Sequence, residues 1–170
     1  MKRKVLVSLL LLLLLFLPVF NIAAQGPIGL DAGGVISTGY IKTDDPAYSG
    51  LSLLFLLRGG ATVTGRYRIN DSLSTGVEIG FTYMSISADG TSSQTWIDIP
   101  MNAVFRVGGK STFVEPHVGY YLSATVMDFS GFSVGVKGSL GGFYTDITYV
   151  IGSTFKYPRF AIGWQYNNIF

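Results

Sequence analysis

Glu115 and His117 lie two residues apart, and on an extended strand that spacing puts both side chains on one face. A histidine beside a carboxylate, with the hydroxyls of Tyr121 and Ser123 further along the same parity, has the group types of nucleophilic hydrolysis. The rest of that chemistry is missing. The chain has 1 histidine, and no recognisable partner spacing surrounds it. A metal centre needs closely spaced ligands, which one histidine and scattered carboxylates do not supply. Neither Gly-x-Gly-x-x-Gly nor a Walker-type phosphate loop is present. With 0 cysteines there is no disulfide scaffold, thiolate metal site or lipoprotein anchor. No catalytic residue, metal or cofactor is therefore expected, and His117 is read as hydrogen-bonded inside the fold. A lipid-modifying enzyme built on His117 and Glu115 is the catalytic alternative.

The elements that position this pair are strands. Over residues 55–69 the odd positions are Phe55, Leu57, Gly59, Ala61, Val63, Gly65, Tyr67 and Ile69, none of them charged. The even positions include Arg58, Arg66 and Arg68. A period of two gives one oily and one wet face. The same alternation predicts eight strands, at 28–41, 55–69, 73–85, 96–107, 112–124, 132–140, 143–155 and 160–170. Ten charges fall within them: Asp31, Arg58, Arg66, Arg68, Glu78, Asp98, Arg106, Glu115, Lys137 and Asp146. Each lies opposite its strand's apolar face. The remaining charges after residue 24 fall in connections, among them Lys110, Lys156 and Arg159.

Charges on one face and apolar residues on the other predict an all-β, eight-stranded, up-and-down antiparallel transmembrane barrel. Lipid takes the oily face, where an arginine near the midplane costs about 2–4 kcal/mol. Closure pairs every backbone polar group, as hydrocarbon requires. Short turns are expected near Asn70-Asp71, Gly108-Gly109 and Gly141-Gly142 on the periplasmic side. Hairpin arithmetic sets Lys137 opposite Asp146, and Arg106 and Arg66 diagonal to Glu115 and Glu78. Eight strands enclose just enough room for their own side chains, so these charges, with His117, are expected to fill the lumen. A narrow solute channel is the alternative.

Location comes from the first residues. Met1-Lys2-Arg3-Lys4 precedes an apolar run at 5–20, and Ala23-Ala24 offers a cleavage site, the pattern of a signal peptide over residues 1–24. Removing it leaves 170 − 24 = 146 residues with 12 − 3 = 9 basic against 10 acidic side chains. That net charge of −1 gives no electrostatic case for nucleic acid. Residues 25–170 read as a single domain.

Three stretches resemble the outer membrane protein β-barrel domain family of small porin-like barrels. They are Trp96-Ile97-Asp98-Ile99-Pro100-Met101, Phe113-Val114-Glu115-Pro116-His117-Val118-Gly119-Tyr120, and the last strand with Phe160, Ile162, Trp164, Tyr166 and Phe170. Asn168 stands where an apolar residue is usual. The resemblance implies an outer-membrane location and partnership with outer-membrane lipid. It also implies that the assembly machinery reads Trp164, Tyr166 and Phe170 as an insertion signal. It offers no catalytic residues, and a monomer with a structural or interaction role is expected.

Overall fold

A computed structural model describes residues 27–41, 54–55, 57–86, 94–124, 130–153 and 155–166. The expected signal peptide, the loop charges Lys42, Asp44, Asp45, Asp89 and Asp128, and Phe170 lie outside the described residues. Eight long strands follow in chain order: β1 (Ile28–Ile41), β2 (Arg58–Asn70), β3 (Leu73–Ile86) and β4 (Gln94–Gly108), then β5 (Thr112–Ser123), β6 (Gly131–Leu140), β7 (Phe143–Gly152) and β8 (Lys156–Tyr166). A two-residue ladder, Leu54–Phe55 against Tyr40 and Ile41, extends the first hairpin.

Each strand pairs antiparallel with its sequence neighbour, and β1 also pairs with β8, from Ala32 opposite Tyr166 to Gly39 opposite Arg159. The sheet therefore closes with no free edge among these strands. A ten-residue strand such as β6 is about 33 Å long at about 3.3 Å per residue. Tilted by about 40°, it covers the roughly 25 Å apolar band of an outer-membrane barrel.

Alternation decides which face each residue takes. Large apolar side chains face outward at 40–75% exposure, among them Val63, Phe81, Val118, Val136, Ile147 and Ile162. Tyr67, Trp164 and Tyr166 ring one end on that face. Rings at the ends of a barrel suit headgroup depth. The interior is polar, with a small apolar cluster of Val35, Tyr144 and Ala161.

Turn chemistry matches local sequence. Gly141 and Gly142 have φ of 64° and 88°, the left-handed pair that a type I′ hairpin requires. At 70–73 the Ser72 amide donates to Asn70 Oδ1 at 2.9 Å, a side-chain-closed turn. These tight turns share one end with 109–111, and the longer connections lie at the other. In outer-membrane barrels the short turns are periplasmic.

Three boundaries differ from expectation by three residues or more. The second strand starts at Arg58, not Phe55. The seventh ends at Gly152, and the eighth starts at Lys156, so residues 156–159 are strand rather than loop. The described part of the eighth strand stops at Tyr166.

Candidate functional site: the charged lumen

Inward parity on all eight strands delivers a column of ionised side chains to the barrel axis. Toward the turn end two arginines and two carboxylates alternate in a closed ring. Arg66 Nε bonds Asp31, and Arg66 Nη2 lies 2.6 Å from Glu115. Arg106 reaches the same two acids, at 2.9 Å to Glu115 and 3.2 Å to Asp31. Gln165 adds a 2.9 Å donor to Asp31. Arg106 also stacks over the Phe113 ring, 3.4 Å from its centroid.

Lys137 continues this mesh. Its ammonium bonds Glu78 and lies 3.3 Å from Glu115. Thr64 donates to Glu78 at 3.2 Å. All these charged groups are buried, and Glu115 has no exposed surface. Burying a charge is tolerable when it is paired and hydrogen-bonded, and each carboxylate here has at least two donors.

Toward the long connections lies a second cluster. Arg58 pairs with Asp98 at 2.6 Å, and Tyr121 donates to Asp98 at 2.9 Å while accepting from Arg58 at 2.7 Å. Tyr157 meets the Tyr121 ring edge-on, with centroids 6.4 Å apart. Arg159 is buried here with its guanidinium 5.4 Å from the Tyr121 centroid. Arg159, expected in a connection, lies instead on β8. Parity with Ala161 and Gln165 was the signal available for its inward position.

The structure corrects two expected pairings. Lys137 does stand opposite Asp146 in the ladder, but its bond goes to Glu78. Arg66 is joined to Asp31 and Glu115, not to Glu78. Arg106 with Glu115 forms as expected. Arg68 is only half-buried, at the rim of the turn end.

Glu115 and His117 share the lumen but not a partner. His117 Nε2 is 3.1 Å from Thr148 Oγ1 and 3.6 Å from Asp146, and Thr148 donates to Asp146 at 3.0 Å. Gly135 faces the imidazole, and a Cβ there would come within 2.5 Å of Nε2, so only glycine leaves room for the ring. Tyr121 is held by Asp98, and the buried Ser123 accepts on its carbonyl from Ser130 at 3.4 Å. The four groups of the hydrolytic reading do not converge. Trp164 and Tyr166 face outward on β8.

No family model and no curated protein matches the sequence. Two solved structures of Ail, the attachment invasion locus protein of Yersinia pestis, are similar to it. The one in complex with the heparin analogue sucrose octasulfate is 12% identical, covers 82% of this chain and 97% of that chain, and has a TM-score of 0.49. The other is 12% identical, covers 81% of this chain and 99% of that chain, and has a TM-score of 0.42. An even number of antiparallel strands, closure, an apolar outer belt and ion pairs within are together the architecture of a small β-barrel of the bacterial outer membrane.

Proposed function

We propose that the protein is an integral outer-membrane barrel with a structural or interaction role, closed to solutes and without enzymatic activity. The ring of Asp31, Arg66, Glu115 and Arg106, with Lys137 and Glu78 beside it, carries this reading. It spans a lumen only as wide as its own side chains. Each of its groups bonds to a residue on another strand, so opening a path for solute would separate buried charges. The lumen histidine lies beside the Thr148 hydroxyl and Asp146, and all three groups are buried. The partners are outer-membrane lipid on the belt and the assembly machinery during insertion, and the barrel works as a monomer.

Liposome swelling with sugars of graded size tests the closed lumen. No influx above protein-free liposomes is expected, and an influx that falls with solute size would overturn the reading in favour of a narrow channel. Bilayer conductance of Lys137→Met extends the test. A new steady pore is expected once the cross-lumen bond is lost, and unchanged conductance would remove Lys137 from the plug.

A further inference from the structure

The turn end of the lumen opens into a small cavity of about 40 Å³. Its charged lining is Asp31, Arg66, Arg68, Asp71, Arg106 and Lys110. Four cations face these two carboxylates and Glu115, which pairs with Arg66 and Arg106 from within, and the surplus at neutral pH is +1. We propose that this cavity is a binding site for a phosphate-class oxyanion at the periplasmic mouth.

Size is the first argument. A water needs about 10–15 Å³ of such space, so the cavity accepts about three water-sized groups. That matches three oxygens of a tetrahedral oxyanion and is too small for a sugar or nucleoside. The donors supply the second. Arg66 lines the cavity with its side chain 5% exposed, and its Nη1 is buried without a hydrogen-bond partner. A guanidinium fork suits phosphate geometry, and lysine adds a mobile point charge. The nearest carboxylate is already engaged, because Asp31 accepts from Arg66 and Gln165 and lies 3.2 Å from Arg106. Arg68, half-buried, and Lys110, exposed, stand at the entrance.

A free phosphate and the phosphate of a lipid headgroup share this chemistry. The test uses the full mature barrel folded in an amine-oxide detergent, which carries no phosphate. Arginine Nε–Hε signals are followed by NMR during titration with inorganic phosphate, against sodium chloride at matched ionic strength. Saturable shifts with phosphate alone are expected, weakened at least tenfold in the double variant Arg68→Gln/Lys110→Gln and unchanged in Lys156→Gln at the opposite end. If phosphate is silent in detergent, the same signals are compared in nanodiscs with and without phosphatidylglycerol. A shift present with that lipid and abolished in the double variant assigns the site to a headgroup. Shifts equal in chloride, insensitive to the double variant, or absent in both arms would overturn the proposal.

Discussion

Lys137 stands directly opposite Asp146 in the ladder between β6 and β7, yet its ammonium crosses the lumen to Glu78 on β3. Strands β4 and β5 separate those two elements, so the bond runs through the interior rather than along the wall. Asp146 takes Thr148 and His117 instead. Glu115 lies 3.3 Å from the same ammonium, which makes Lys137 the junction between Glu78 and the arginine ring.

Lys137→Met is expected to destabilise the barrel by about 3–5 kcal/mol, because two buried carboxylates lose a cation. Reversible urea unfolding from micelles measures this. Combining it with Glu78→Gln should recover part of the loss, with a coupling of about 1–3 kcal/mol. Additive effects in that double-mutant cycle would mean the two side chains do not interact.

The oily face makes a depth-dependent prediction. Val136 lies mid-strand, 43% exposed, between Pro116 and Ile147. Val136→Arg should cost about 2–4 kcal/mol in liposomes, whereas Leu140→Arg at the strand end should cost about 0–1. If both stay within about 0.5 kcal/mol, as on a water-facing surface, the belt does not face lipid.

Arg159 offers a contrast to Lys137. Among the described residues no carboxylate lies within ion-pair distance of it, and its contact is the Tyr121 ring. Exchanging such a cation for an apolar side chain of similar length is often neutral or stabilising. Arg159→Met should therefore change unfolding free energy by less than about 1 kcal/mol. A loss as large as that of Lys137→Met would reveal a counter-charge holding it.

The proposed insertion signal separates assembly from stability. Tyr166→Ala, at a site 70% exposed, should leave refolded stability within about 0.5 kcal/mol of the parent. Tyr166→Ala and Phe170→Ala should each lower, by several-fold, the heat-modifiable form recovered from outer-membrane fractions. Full assembly of both variants would exclude these rings from the signal.

Much of the fold was legible because its cause is local. The first strand, 28–41, is observed with those bounds, with Asp31 inward and Ile28 and Ile36 outward. Gly141 and Gly142 announced their hairpin because only positive φ at both positions closes it. Parity also placed Arg58, Glu78, Asp98, Glu115 and His117 on the inner face, where they are buried.

The last connection was expected at 156–159, but those residues are strand and Pro158 does not break it. Here it sits outward opposite Tyr149, carrying Tyr157 and Arg159 inward with it. Ladder register was arithmetic, but ion pairing was not. A lysine's partner depends on which carboxylates other strands bring within reach of its flexible stem, and that follows from barrel width and stagger. By itself the sequence determined which side of the wall each charge occupies, through a period of two and the cost of charge in hydrocarbon. Only the closed tertiary structure decided which charges meet, because Glu78 and Lys137 become neighbours solely when strands distant along the sheet curve round to face each other.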